Sequence, residues 1–270
     1  MCKAYYKRGE RPPNSFIKTL VMIFYFSATG NSKHVAEEIS AKTGDKAVSI
    51  LDVNGLELNL TSEKKLGFVS PTYAFGLPVV VTEFLKNVSF KLSDDCYVFF
   101  ISTYGTTPGV SSVIGRKLLK KKCVRLDSVF SVKMPDSWTP IFNLSDKTKV
   151  QKINEKADVK ITKVIQKIVD EKKCTRVKNQ LPLIALPVSK IWYEIMRKTK
   201  NLYVEDSCIG CGLCEKNCPV KAIEIVDKKP VWKKVKCAMC LGCLHRCPKF
   251  AIQYGNGLSK KHGQYKNPKI

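Results

Sequence analysis

What this chain lacks narrows the field first. No apolar run approaches the roughly 20 residues needed to cross a bilayer; the longest, Leu20 to Phe26 and Leu181 to Val188, read as core segments. The first 21 residues hold five basic residues and one acidic one, with no apolar centre and no small-residue cleavage site. A secretory signal is therefore not expected, and the chain is expected in the cytoplasm. Neither G-x-G-x-x-G nor G-x-x-x-x-G-K-[ST] occurs, which disfavours dinucleotide and nucleoside-triphosphate binding. Histidine is scarce: His34, His245 and His262 are all there are, and no Ser-His-Asp set, carboxylate pair or zinc-hydrolase pattern forms around them. His34 is expected on the exposed side of a helix, His245 as a solvent-facing filler or a tuner of potential, and His262 in a tail.

Acidic residues are also few, 23 against 47 lysines and arginines, for a net charge of +24. A nucleic-acid reading would need that excess gathered into one stripe. Instead residues 1–21 contribute +4, 22–175 contribute +7, 176–201 contribute +5 and 202–270 contribute +8. Spread so evenly, it reads as a solvated lysine-rich surface. Docking to acidic redox partners is the sharper alternative; membrane-surface and nucleic-acid contact come last.

Cysteine is what the chain has in plenty. Eight of 12 fall inside residues 208–247, and without an export signal such a block points to metal before disulfides. Cys208, Cys211, Cys214 and Cys218 are spaced C-x2-C-x2-C-x3-C and followed by Pro219; Cys237, Cys240, Cys243 and Cys247 repeat this before Pro248. Matched cysteines lie 29 residues apart, and CPVKAI at 218–223 answers CPKFAI at 247–252, as an internal duplication would produce. Two structural zinc sites would instead pair two CxxC knuckles across a longer loop. Gly210, Gly212 and Gly242 are expected to let the backbone approach a cluster. Of the remaining cysteines, Cys96 heads CYVFFIS and reads as a small buried hydrophobe, while Cys2, Cys123 and Cys174 carry no assigned role.

From Tyr203 to about Tyr254 the chain resembles bacterial two-cluster ferredoxins, a small α+β fold. In that run the fourth cysteine ligates the other cluster. The resemblance implies two [4Fe–4S] clusters, one on Cys208, Cys211, Cys214 and Cys247, the other on Cys237, Cys240, Cys243 and Cys218. It also implies one-electron transfer at low potential in an oxygen-poor setting.

Between residues 22 and 175 the pattern alternates. Apolar runs at Val21–Phe26, Ala47–Leu51, Leu66–Ser70, Cys96–Ser102 and Val124–Val132 read as strands, with helices near 34–42, 78–88, 108–122 and 145–171. Five strands with intervening helices imply an α/β fold, a doubly wound five-stranded parallel sheet. SATGNS follows the first strand and opens a helix, where free N–H groups and the helix dipole attract a phosphate. Ser27, Thr29, Asn31 and Ser32 supply polar groups, and Gly30 permits close approach; plain helix capping by Asn31 or Ser32 is the bland alternative.

FYFSATGNSKHVAEEI resembles the flavodoxin signature over roughly residues 22–172. The resemblance implies FMN, its ring held by the loops PTYAFGLP (71–78) and STYGTTPG (102–109). Contacts carried over by position fall on Pro71, Thr72, Tyr73, Ala74, Phe75 and Gly76, and on Thr103, Tyr104, Gly105 and Gly109. Two departures stand out: the domain is basic, and MPDSWTPIF (134–142) has no counterpart in short flavodoxins. That segment resembles one in the flavodoxin–ferredoxin fusion proteins of anaerobic bacteria. Trp138 within it is expected to pack on the connector, with contact to the flavin the other option.

The organisation expected is an N-terminal extension (1–21), a flavodoxin-like FMN domain (22–175), a connector (176–201), a ferredoxin-like domain (202–256) and a disordered basic tail (257–270). In the connector, Ile191, Trp192, Ile195 and Met196 form a helix face expected to pack on a neighbouring domain. The leading function is electron transfer: FMN holds two electrons, each cluster passes one, and acidic ferredoxin-type carriers or reductases are the partners. An FMN-dependent reductase of a quinone-like acceptor is the second reading, and a redox-sensing interaction module the third.

Overall fold

A computed structural model describes residues 21–44 and 46–270. The N-terminal extension expected at 1–21 therefore falls almost wholly outside the described residues. The first half is built from β1 (Val21–Tyr25), α1 (Asn31–Thr43), β2 (Lys46–Ser49), β3 (Glu57–Leu60), β4 (Lys65–Pro71), α2 (Val79–Asn87), β5 (Ser89–Leu92), β6 (Tyr97–Tyr104), α3 (Ser111–Lys120), β7 (Ser128–Lys133) and α4 (Lys147–Val169). Five strands form one parallel sheet in the order β2-β1-β4-β6-β7. This is the doubly wound arrangement the sequence implies, and its order reverses between β1 and β4.

Central strands read as continuous apolar runs because both faces are covered. One face packs Phe24, Phe68, Val98 and Phe100 against α2 and α3, with Phe90 on β5 closing the edge. The other packs Ile23, Phe99, Ile101 and Phe130 against α1 and α4. Along α4 the apolar stripe Val150, Ala157, Ile161, Val164, Ile165 and Ile168 is buried, and Ile153 is half-buried. Lys65 is buried at the start of β4, where it donates to the Ile168 and Val169 carbonyls (both 2.9 Å) and pairs with Glu171 (3.1 Å). The cation thereby satisfies the carbonyl end of α4. Strands β3 and β5, absent from the sequence reading, pair with each other outside the main sheet.

After α5 (Ala185–Met196) come β8 (Leu202–Val204), α6 (Leu213–Lys216), β9 (Ile223–Val226), β10 (Lys229–Trp232), α7 (Gly242–His245), β11 (Ile252–Tyr254) and α8 (Leu258–His262). β8 pairs antiparallel with β11, and β9 with β10. The 29-residue repeat is visible in the backbone: Gly210, Gly212 and Lys221 have φ of 65°, 72° and 48°, and Met239, Leu241 and Phe250 have 49°, 51° and 49°. The left-handed positions are thus glycine in the first repeat and Met239 and Leu241 in the second, so the freedom expected of Gly242 is exercised by its neighbour Leu241.

Three expectations are overturned. Residues 257–270 are not disordered: they form α8 and bury Ser259, Tyr265 and Asn267. Leu181 to Val188 is not core, since Leu183, Ile184 and Val188 are exposed. The apolar face of α5 does not pack on a domain either; the helix docks instead through its buried Ser189 and Tyr193. No helix among the described residues is long and apolar enough to cross a membrane.

Candidate functional site

The C-terminal ends of β1, β4 and β6 open into a cavity of about 720 Å³. Ser27, Thr29, Asn31 and Ser32 line it from the first loop, Pro71, Thr72, Tyr73, Ala74 and Phe75 from the second, and Thr103, Tyr104 and Gly105 from the third. The first loop ends at Gly30, whose φ of 95° starts α1 with no side-chain cap and no acidic residue in the first turn. Such an end suits an anion. Ser32 and Thr103 join two loops through hydroxyls 2.8 Å apart. The second loop is a tight reversal in which Tyr73 and Gly76 exchange two backbone hydrogen bonds (2.9 and 2.8 Å) around Ala74 and Phe75, both at positive φ. Strain of that kind gathers at binding sites.

Gly30, Gly76 and Gly109 do not line the cavity; they stand behind its wall. A Cβ on Gly30 would lie 2.8 Å from that of Asn267, one on Gly76 3.0 Å from Ser189 Oγ, and one on Gly109 2.0 Å from the Phe75 carbonyl oxygen. Loop opening, an uncapped helix start and position at the strand-order reversal all fit an FMN.

Two smaller cavities divide the eight clustered cysteines. Cys208, Cys211, Cys214 and Cys247 border one, and Cys218, Cys237, Cys240 and Cys243 border the other. Backbone N–H groups approach the sulfurs in repeat-related fashion: Ala222 to Cys218 Sγ at 3.2 Å and Ala251 to Cys247 Sγ at 3.3 Å, with Met239 to Cys237 Sγ at 3.2 Å. These donors suit thiolates carrying a charged cluster. Among the described residues, no three His, Cys, Asp or Glu side chains converge on a single ion; the sulfurs border two cavities, four to each. Burial pushes the thiols of Cys214 and Cys237 up, Cys240 to about 12 and Cys243 well above the usual range. Iron binding must therefore displace protons.

Met239, Cys240 and Leu241 border both the second cysteine cavity and the large one. Around this shared wall the two halves are fastened together. Tyr193 of α5 accepts from the Val79 amide (3.2 Å) and donates to the Ala238 carbonyl (2.7 Å). Arg246 donates to the Ser27 carbonyl at 3.3 Å. His245 is buried, contrary to expectation: its Nδ1 accepts from the Tyr265 amide at 3.1 Å, which leaves Nε2–H to donate to the Ser137 carbonyl at 2.8 Å. Burial holds its pKa down to about 4, so the ring is neutral. Trp138 packs edge-on against Tyr254 (5.2 Å between ring centroids) rather than on the connector, and it lines the large cavity.

The sequence reading missed two groups at the site. Asp136 lies on the cavity wall beside Gly105; burial raises its pKa, outweighing the Trp138 amide, the Thr106 hydroxyl and the Lys133 cation, which pull it down. The tail crosses the first loop: the Asn267 amide donates to the Thr29 carbonyl (2.8 Å), and Tyr265 and Asn267 both donate to Asn31 Oδ1 (2.7 and 3.2 Å). Beside them Asp158 accepts from His34 Nε2 (2.7 Å) and pairs with Lys269 (3.0 Å), so His34 is buried, not exposed. MPDSWTPIF contained a signal for Asp136; a lysine-rich tail held none for Asn267.

Sheet order, cavity position and the cysteine-ringed repeat define the class: a doubly wound flavin-type domain joined to a ferredoxin-type domain. A flavodoxin-domain profile matches residues 22–163, and the chain belongs to that family; a 4Fe-4S binding domain profile matches residues 202–224. The second cysteine run lies beyond that match. The chain is thus a flavodoxin–ferredoxin fusion. The ferredoxin-type region is similar to an uncharacterised polyferredoxin-like protein of Methanocaldococcus jannaschii, 35% identical over 68 residues, 20% of this chain and 40% of that protein. It is also similar to a component of an ion-translocating oxidoreductase complex of Methanosarcina acetivorans, 41% identical over 49 residues, 18% of this chain and 19% of that protein. The chain spans less than half the length of these relatives. The other half is similar to the two-electron reduced flavodoxin of Megasphaera elsdenii: 18% identity, 51% of this chain and 97% of that one, TM-score 0.34.

Proposed function

We propose that this protein passes electrons between an FMN in the large cavity and two [4Fe–4S] clusters in the cysteine-ringed cavities, and on to redox partner proteins. The observation that carries the reading is the shared wall: Cys240 borders both the FMN cavity and one cluster cavity. FMN would supply two-electron capacity and the clusters one-electron steps. The first loop would hold the phosphate, and the loops at 71–76 and 103–105 the ring. Cys208, Cys211, Cys214 and Cys247 would hold one cube; Cys218, Cys237, Cys240 and Cys243 would hold the other. Residues 22–175 form the flavin unit, 176–201 the connector and 202–256 the cluster unit, with 257–270 as a strap returning to the flavin loop. Cys211 is exposed, as are Ile209 and Leu213 beside it, so the outer cube lies where a partner can reach it.

The outer lining of the cavity favours a second reading, reduction of a small conjugated acceptor. Trp138, Ile141, Phe142, Trp192 and Met196 extend the wall beyond the three flavin loops, and Asp136 keeps its proton more readily than an ordinary carboxyl. Anaerobic reconstitution with iron, sulfide and flavin quantitation tests the first reading. One FMN and about eight irons per chain are expected, falling to about four irons with FMN retained in Cys214→Ala. Flavin-free protein, or full iron content in the variant, would overturn it. Turnover of a soluble quinone by the intact protein distinguishes the second.

A further inference from the structure

Helix α5 is built inside out. Its docked side carries Ser189 and Tyr193, while Leu183, Ile184, Val188, Ile191, Trp192 and Ile195 remain 50–81% exposed. At about 100° per residue the last five fall within a stripe roughly 100° wide, the stripe a surface helix ordinarily turns to the core. Exposed apolar surface of that extent marks an interaction site.

The surroundings say with what. Lys190, Lys198 and Lys236 flank Ile191 and Ile195 along a shallow groove, and Lys200 stands with Trp192 and Ile195 at the mouth of the large cavity. The helix has one acid, Glu194, and Lys236 and Arg197 each hold it at 2.8 Å, which lowers its pKa. The stripe is therefore framed by cations with their nearest carboxylate already neutralised. It is also aliphatic except for one indole on its flank, on a chain of net charge +24.

We propose that α5 seats in the headgroup–acyl boundary of an anionic membrane. Aliphatic side chains enter the boundary, the indole sits at headgroup depth, and the long lysine stems reach the lipid phosphates. Lysines beside an aliphatic stripe with an indole on its flank are the composition of a helix that lies in that interface. Because Trp192, Ile195 and Lys200 belong to both features, the large cavity would open at the membrane surface. The inference stands on the helix face and is independent of the cofactors.

Flotation of the full-length, cofactor-loaded protein with two vesicle types tests it: phosphatidylcholine alone, and equal parts phosphatidylcholine and phosphatidylglycerol, at physiological ionic strength. Binding at least about tenfold stronger to the anionic vesicles is expected. The double substitution Ile184→Glu/Ile191→Glu, at positions outside the cavity, should weaken that binding at least about tenfold with flavin and iron content unchanged. Absence of binding to either vesicle overturns the proposal. So does undiminished binding of the double variant, which would make the attraction charge alone. A dimer in sedimentation that the double variant dissolves would assign the face to a second copy instead.

Discussion

At Gly67 the sheet has no room for one methyl group. Gly67 pairs directly with Phe99 across β4 and β6, and a Cβ there would lie 2.3 Å from the Phe99 ring, itself fully buried. Gly67→Ala is expected to cost about 1–3 kcal/mol through overpacking, seen as a lower urea midpoint with an unchanged slope; an unshifted midpoint would mean the ring can move aside. The clustered cysteines stand out at this scale because ligand spacing is local: four cysteines and a proline fall within about a dozen positions in each repeat. His34 and His245 do not. Neighbours in the chain do not place them: His34 is fixed by Asp158 and His245 by Ser137, partners more than 100 residues away. The left-handed backbone at Met239 and Leu241 was hidden for a similar reason, since a second repeat without glycine gives no warning that it keeps the first repeat's turn.

Elements were legible where one pattern has one outcome. Continuous apolar strands alternating with amphipathic helices lead to a parallel sheet, and the five strands and α4 follow. Helix α5 shows the limit: periodicity locates an apolar stripe but does not say that it is covered. The tail shows another, because Lys260, Lys261, Lys266 and Lys269 read as solvated while Tyr265 and Asn267 beside them dock on Asn31, over 230 residues distant. Its anchor gives a pH prediction. Burial raises the Asp158 pKa, but hydrogen bonds from His34 and Lys269 outweigh it, and the carboxyl ends below its ordinary value. A depressed carboxyl stabilises the fold above its unfolded pKa, and the contribution disappears as pH falls through the folded one. Asp158→Asn should therefore lose about 0.5–1 kcal/mol, modest because the pair is partly screened. The gap in thermal midpoint to the parent should hold steady from about pH 8 to 6 and narrow from about pH 5 downward; a gap independent of pH would exclude the ion pair as its source. Removing residues 264–270 takes away the partners of Asn31 Oδ1 and of the Thr29 carbonyl together, and FMN is expected to leave at least about tenfold faster in stopped-flow dilution.

Across the whole molecule, the question is whether the flavin and cluster halves are held or merely tethered. Connector composition leaves this open; one side chain answers it. Tyr193 stands on the connector helix, accepts from the first amide of α2 in the flavin half and donates to the Ala238 carbonyl, two residues before the cysteine on the shared wall. Its ring also meets that of Tyr73 in the flavin loop at 6.4 Å. Tyr193→Phe keeps the ring and its packing but leaves an amide and a carbonyl without their partner, at a cost of about 1–3 kcal/mol. That cost falls on the docked arrangement and not on either half alone. Flavin and iron contents should therefore stay at parental values while electron exchange between FMN and clusters, followed by absorbance after a reducing pulse, becomes slower and more sensitive to viscosity. Were the exchange rate unchanged, docking would not depend on this bridge, and Arg246 on the Ser27 carbonyl, His245 on Ser137 and the tail's bonds to Thr29 and Asn31 would hold the halves in register without it.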